Sequence, residues 1–173
     1  MMEIRPATEA DLPLLPEIEI SAASLFRDSG LEIFVAETPD APIDFTPADI
    51  WVPILARGRI WVAQNVAGRL VAFLAAEPIE GRLHILELDV HRDAQGQGLG
   101  RRLVQTAIDA ARDMGLAGSS LTTFRDAPWN APFYASLGFV IEEAPQGALL
   151  KFLNNEAARG LDPARRCAMV FTV

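Results

Sequence analysis

The sequence predicts an α/β (α+β) fold: a mixed, mainly antiparallel sheet of six to seven strands, flanked by helices. Hydrophobic periodicity predicts the order β-α-α-β-β-β-α-β-α-β, followed by a helix and a last strand. A helical segment separates the strands at 85–90 and 119–124, so these two are expected to be parallel. The 173 residues, half of them hydrophobic, suffice for a single domain spanning 1–173 with a full core.

The N-terminal elements follow from their apolar spacing and their caps. A strand at 2–6 precedes a helix over 8–26, which Pro16 is expected to distort. A second helix is expected to start with Thr46 as its N-cap and Pro47 at its first position. Alternating and apolar runs predict the other strands at 59–64, 69–76, 139–143 and 167–173, and a helical pattern covers 148–158.

The most informative stretch, 84–114, predicts a strand, a glycine-rich turn and a helix. Gly96, Gly98 and Gly100 precede an apolar helical stripe made of Leu99, Leu103, Val104, Ala107, Ile108, Ala111 and Met114. The first amides of a helix lack internal partners and favour negative charge, so this turn suits a phosphate or pyrophosphate. The glycine spacing matches neither the dinucleotide-binding fingerprint nor the P-loop. A turn without a ligand is the alternative.

Two motifs carry a family resemblance. The stretch Val90–Gly100 (VHRDAQGQGLG) resembles the acyl-CoA-binding motif of the GNAT superfamily of N-acetyltransferases, with Gln95, Gly98 and Gly100 at its core positions. Downstream, Asn130–Phe139 (NAPFYASLGF) resembles the family's Asn-started helix with a Phe-Tyr pair, followed by Gly-Phe before the next strand. Together the two motifs and the intervening strand cover about a third of the chain closely.

The resemblance implies acetyl-CoA as co-substrate, no metal, and direct transfer in a ternary complex. It also implies that the strands at 85–90 and 119–124 diverge to leave a slot for the pantetheine arm. An amide near 88–90 would meet the oxyanion, and Arg92, Arg101 and Arg102 would add positive charge for the phosphates. The candidate cofactor-binding residues are Leu88, Val90, Gln95, Gly96, Gln97, Gly98, Leu99, Gly100, Arg101, Asn130, Phe133 and Tyr134. Asn130 is also expected to cap the helix that follows it.

Acyl transfer to an amine needs a base for the amine and an acid for the leaving thiolate. Tyr134 is the only tyrosine and occupies the family's acid position; a core aromatic with its hydroxyl engaged is the alternative. Glu87 is the candidate base. By strand alternation it shares a face with Asp89, opposite Leu86 and Leu88, so the choice between the two carboxylates stays open. A bulge would re-aim these side chains, and a surface carboxylate is the alternative.

The acceptor is expected to be the amine of a small molecule, an amino acid or a peptide. Residues 28–45 carry five acidic side chains and no Lys or Arg, which favours a cationic amine at this border of the site. A solvated acidic loop is the alternative. Glu32, Asp89 and Trp129 are the candidate substrate contacts.

Composition excludes several other functions. A net charge of −8 argues against nucleic-acid and anionic-membrane binding, and no apolar run approaches the roughly 20 residues of a membrane span. The single Cys167 and the lack of a signal-peptide pattern favour a cytoplasmic location. No His/Cys cluster has metal-site spacing. A homodimer, a catalytically inactive CoA-binding sensor of the same fold, and a phosphate-ligand binder outside this family stay open.

Overall fold

The computed structural model describes residues 1–30 and 43–173. Within those ranges the strands form one seven-stranded sheet in the order β1-β2-β3-β4-β5-β7-β6, and the β4–β5 pair is its parallel one. The predicted mixed, mainly antiparallel sheet is therefore confirmed. The strands are β1 (Glu3–Pro6), β2 (Arg59–Gln64), β3 (Leu70–Ile79), β4 (Arg82–Val90), β5 (Gly118–Phe124), β6 (Val140–Ile141) and β7 (Arg166–Thr172).

Helices cover both faces of the sheet. They are α1 (Leu15–Ser29), α2 (Ala48–Arg57), α3 (Leu99–Asp113), α4 (Ala131–Ser136) and α5 (Gly147–Ala158). The stripe predicted for α3 is buried from Leu99 to Ala111 and packs on one face of the sheet. On the other face, α1 and α2 pack against Ile60, Val62 and Phe73. None of the helices in the described ranges combines the length and apolarity that crossing a bilayer requires.

The parallel strands β4 and β5 pair over only two positions, Leu83 with Ser119 and His84 with Ser120. Beyond them the strands separate, which confirms the predicted divergence. His84 lies at the fork: its Nδ1 is 2.9 Å from Oγ of Ser120, and its ring stacks on Phe152 with centroids 4.3 Å apart. Burial lowers the pKa of His84 to about 4, so the ring is neutral at physiological pH.

A β-bulge in the β3–β4 ladder decides which way the β4 side chains face. The register shifts between Ala75 and Ala76, so that Glu87 pairs with Ala75 and Asp89 with Phe73. Both partners belong to the core under α1 and α2, so the two carboxylates share that face as predicted. Leu86 also packs there and not on the opposite face, which corrects the alternation expected for it, because the bulge inserts an extra residue.

Two N-terminal predictions need correction. The first helix opens with a 3₁₀ turn, Glu9–Leu14, and Pro16 falls in the first turn of α1, where a missing N–H costs no hydrogen bond. Helix α2 begins at Ala48 with Pro47 as its N-cap. Thr46 instead donates its main-chain N–H and its hydroxyl to the carboxylate of Glu19, at 2.9–3.1 Å.

Candidate active site

The fork between β4 and β5 opens into a cleft of about 670 Å³. The β4 segment from Ile85 to Val90 forms one wall, and the β5 segment from Leu121 to Phe124 forms the other. The remaining lining comes from α1, the glycine-rich turn, α4 and the C-terminal elements: Ala22, Leu25, Phe26, Ala94, Gln95, Gly96, Gly98, Leu99, Gly100, Arg101, Trp129, Asn130, Phe133, Tyr134, Glu156, Arg159, Leu161 and Arg166.

The glycine-rich turn presents a row of unpaired amides at this cleft. Gln95 N–H donates to Arg92 O at 3.3 Å, and Arg102 N–H donates to Gly98 O at 3.1 Å. Between them, the six amides from Gly96 to Arg101 have no hydrogen-bond acceptor anywhere in the described part of the chain. Most of these residues are exposed, and amides at the start of a helix favour negative charge, so this row is suited to the oxygens of a phosphate-bearing ligand.

The three glycines of this turn differ in the structural reason for lacking a side chain. Gly96 and Gly98 have φ of 74° and 78°, a left-handed conformation that suits glycine, and a Cβ on either would meet nothing within 4 Å. Gly100 has an ordinary φ, but its Cβ would lie 3.4 Å from Phe133. Gln97 does not line the cleft, whereas the other candidate cofactor-binding residues do.

The open edge of β4 offers further amides. His91 N–H donates to Val71 O on the β3 side, at 2.8 Å. Alternation along the strand turns the N–H groups of Leu88 and Val90 the other way, toward the separated β5. The Nε2 of Gln95 donates to Val90 O at 3.0 Å, which ties the start of the turn to this edge.

Asn130 begins α4, but its side chain does not cap that helix, which corrects the prediction. Its Oδ1 instead accepts a 2.6 Å hydrogen bond from Oγ1 of Thr123 on β5. With the oxygen engaged, the two donors of the amide nitrogen are left for the cleft that Asn130 lines.

Tyr134 lies in α4, is only 8% exposed, and still lines the cleft. Its ring packs edge-on to Phe133 and Phe139 at 5.0 and 5.7 Å between centroids. Its hydroxyl forms no hydrogen bond with any residue of the described ranges, so the alternative of an engaged core tyrosine does not hold there. Burial and the negative charges of Glu87 and Asp89 raise the pKa of Tyr134, which keeps the phenol protonated.

The two β4 carboxylates line the same cleft. Burial, followed by the negative charge of Glu19, raises the pKa of Glu87 to about 7. Burial and the charge of Glu87 raise the pKa of Asp89 well above its ordinary value. The Oδ2 atom of Asp89 is buried and has no hydrogen-bond partner in the described ranges. Two adjacent buried carboxyls cannot both ionise readily, so near neutral pH the pair holds about one proton.

The wall facing the carboxylates was not predicted as part of the site. It includes Phe26 of α1 and four residues near or on the C-terminal elements: Glu156, Arg159, Leu161 and Arg166. No local motif marks these residues: Phe26 reaches the cleft by packing on Phe124 and Trp129, and the other four through the placement of β7 beside β5. Trp129, a predicted substrate contact, lines the cleft, whereas Glu32 lies outside the described residues.

The arginines expected at the phosphates differ in position. Arg101 lines the cleft, and its Nη2 donates to Oγ of Ser136 at 3.1 Å. Arg92 instead pairs with Asp28, and Arg102 donates to Met2 O at 3.1 Å.

In the ranges 1–30 and 43–173, no group of three or more His, Cys, Asp or Glu side chains is arranged to hold a metal ion.

Comparison with known proteins places this geometry in a family. The model of the acetyltransferase (GNAT) family matches residues 24–139. The chain is 33% identical over 89 residues to N-acetyltransferase 8F1 of Rattus norvegicus, which covers 49% of this chain and 40% of that protein. It is also 33% identical over 90 residues to N-acetyltransferase family 8 member 2 of Rattus norvegicus. The chain thus spans about 40% of the length of these relatives.

Solved structures share the fold across the whole chain. The ribosomal-protein-S18-alanine N-acetyltransferase of Escherichia coli superposes with a TM-score of 0.68 at 19% identity, covering 100% of this chain and 94% of that one. The PaiA N-acetyltransferase of Thermoplasma acidophilum, in complex with coenzyme A, gives a TM-score of 0.68 at 15% identity, covering 100% and 99%. The family model, which matches more than half of the chain, shows that the protein belongs to the GNAT acetyltransferase family.

Proposed function

We propose that this chain is an acetyl-CoA-dependent N-acetyltransferase that transfers the acetyl group directly to an amine within a ternary complex. The acceptor would be a small molecule, an amino acid or a peptide. The observation that carries the proposal is the row of six unpaired amides from Gly96 to Arg101 at the mouth of the cleft. The coenzyme A complex of the PaiA neighbour and the acetyltransferase names of the relatives support the same co-substrate.

The residues present fit coenzyme A. The amides of the glycine-rich turn would hold the diphosphate, with Arg101 adding charge. The pantetheine arm would follow the open edge of β4 toward the fork, with the amide nitrogen of Asn130 as a donor from the α4 side. The N–H groups of Leu88 and Val90 would then meet the thioester oxygen, where negative charge develops during acyl transfer.

In the proposed reaction one side chain accepts a proton and a second side chain donates one. Glu87 takes a proton from the acceptor amine, whose nitrogen attacks the thioester carbon. As the C–S bond breaks, Tyr134, whose raised pKa keeps it protonated beforehand and whose hydroxyl is not engaged, gives its proton to the thiolate. Asp89, whose pKa is raised by burial and by the charge of Glu87, would titrate together with the base as its coupled partner.

Thiol release from acetyl-CoA across an amine panel tests the proposal. Amine-dependent release with a mass gain of one acetyl group supports it. Saturable CoA binding without turnover on any amine would favour the inactive CoA-binding sensor. Stabilisation by ATP or NAD that CoA cannot displace in a thermal-shift competition would favour the unrelated phosphate binder.

We further propose that residues 1–173 act as one domain, since a single sheet runs from β1 to β7. A cytoplasmic location and a homodimer stay predictions. Size-exclusion chromatography with light scattering, with and without CoA, tests the second.

A further inference from the structure

The acceptor side of the cleft has an apolar wall. Phe26 packs against Phe124 and Trp129, with ring centroids 5.3 and 5.2 Å apart, and Leu161 is buried in the same cluster. Leu25 of α1 lines the cleft beside them. Aromatic and aliphatic walls of this kind favour an apolar group on a ligand.

Two arginines line the same cleft but differ in their partners. Arg166 is paired along one edge of its guanidinium: its Nε and Nη2 donate to the two carboxylate oxygens of Glu156 at 3.1 and 3.0 Å, and the guanidinium lies over the Phe124 ring. Thr122 donates its hydroxyl to the same carboxylate. This network therefore positions the wall and leaves little capacity for a ligand anion.

Arg159 is different. It follows the last residue of α5, its side chain is exposed at the cleft, and in the described ranges its guanidinium has no ion-pair or hydrogen-bond partner. The positive charge of Arg159, like that of Arg166, lowers the pKa of Glu87. The guanidinium therefore interacts electrostatically with the candidate base. A guanidinium and a carboxyl group that line one cleft suit a ligand that carries both an anionic and a cationic group.

Resting on the proposed function, we propose that the acceptor is a free amino acid with an apolar side chain. Its ammonium group would lie at Glu87 and Asp89, its carboxylate would bind Arg159, and its side chain would pack against Phe26 and Trp129. A polycation is disfavoured because its second charge would meet Arg159. A peptide N-terminus is disfavoured because it has no carboxylate next to its amine.

A set of matched acceptors tests whether the enzyme recognises a carboxylate on the acceptor. L-Phenylalanine, phenethylamine, L-phenylalaninamide and the dipeptide amide Phe-Gly-NH₂ share one side chain and differ in the group beside the amine. The wild-type protein is expected to use L-phenylalanine with a kcat/KM about tenfold above the other three, since a charge-assisted contact contributes about that factor. Equal use of phenethylamine or of the dipeptide amide would overturn the inference.

Matched variants test the residue. Arg159→Gln is expected to raise KM for L-phenylalanine about tenfold and to change the phenethylamine reaction far less, the second effect coming only from the small rise in the pKa of Glu87 when the Arg159 charge is lost. Arg159→Lys is expected to restore part of the loss. Arg112→Gln is the control, because Arg112 pairs with Asp109 on the exposed side of α3, away from the cleft. An Arg159→Gln variant that matches this control on every acceptor would overturn the inference.

A third variant tests the wall. Phe26→Ala is expected to lower kcat/KM for L-phenylalanine about tenfold but to leave kcat/KM for glycine nearly unaffected.

The outcomes of these experiments distinguish a failure of the acceptor assignment from a failure of the proposed acetyltransferase function. Equal turnover of amines with and without a carboxylate would contradict the acceptor assignment, but the acetyltransferase proposal would stand. CoA binding without turnover on any amine removes both.

Discussion

Gly100 of α3 and Phe133 of α4 lie so close that a Cβ on the glycine would be 3.4 Å from Cζ of the ring. The ring of Phe133 in turn packs edge-on to Tyr134. The turn that would hold the diphosphate and the helix that carries the candidate acid are therefore one packing unit. Binding at the turn and chemistry at Tyr134 can still be separated by substitution, because each depends on a different local feature.

Gly98→Ala is expected to weaken CoA binding about tenfold. Its left-handed φ of 78° costs a non-glycine residue about 1–2 kcal/mol, and relaxation of that strain would turn the amides away from the ligand. Calorimetric titration with CoA measures the effect. Gly115→Ala is the matched control, with a φ of 70° beyond the other end of α3 and equally open surroundings. A similar loss of stability but unchanged CoA affinity is expected for it, and equal affinity in both variants would contradict the assignment.

Tyr134→Phe is expected to lower kcat about 100-fold while CoA affinity and thermal stability stay near wild type. The hydroxyl forms no hydrogen bond within the described ranges, so its removal leaves no buried partner unsatisfied. Single-turnover kinetics with saturating acceptor measure the chemical step directly. Wild-type turnover in this variant would remove Tyr134 as the acid.

Glu87→Gln is expected to lower kcat/KM about 100-fold and to abolish its rise with pH. In the wild type, the raised pKa of Glu87 means that kcat/KM increases as pH passes through about 7, because the base must lose its proton. A pH profile of both proteins, with CoA affinity measured in parallel, checks this expectation. An unchanged acid limb in the variant would assign the base to another group, with Asp89 the next to test.

The same carboxyl group predicts an opposite effect on stability. Glu87 keeps its proton in the folded protein up to about pH 7, whereas its ordinary pKa is 4.5. The folded state thus binds more protons between these values, and its stability falls as pH rises through that window. Thermal melts are expected to show Glu87→Gln more stable than wild type at pH 8 and equal to it near pH 4.5. A variant less stable at pH 8 would contradict the shift.

Gly118→Ala is expected to prevent folding or to lower the melting temperature far more than Gly81→Ala does. Its Cβ would lie 1.8 Å from Phe171 O on the neighbouring strand β7, and its φ is 145°. Gly81→Ala is the control, since Gly81 has a φ of 81° but nothing within 4 Å of the added atom. Soluble expression followed by thermal melts of both variants measures the difference, and similar melting temperatures would refute it.

The sequence pattern predicted the features that depend on neighbouring residues in the chain. The apolar stripe of α3 and the parallel pair at 85–90 and 119–124 follow from periodicity and from the helix between the strands. The glycine-rich turn and the helix with Tyr134 were found through motifs, and both line the cleft. Each of these depends on residues close together in the chain.

The errors arise where distant segments intervene. Thr46 is a residue type that often caps helices, but the half-buried carboxylate of Glu19 accepts hydrogen bonds from its hydroxyl and its N–H. Asn130 likewise gives its side-chain oxygen to Thr123 of β5. Arg159 has no sequence signal at all, because only the placement of β7 between β5 and β6 brings the C-terminal wall to the cleft.

The two-position pairing at Leu83 and His84 has a mechanical consequence. Within the described ranges, the strand ladder connects β1–β4 to β5–β7–β6 through that short joint alone. The core around α3 contains residues of both parts, so the two parts stay packed together where the ladder is open. A bound co-substrate that touches both walls of the cleft would add contacts across the open part of the ladder and so raise the free energy of unfolding of the whole sheet.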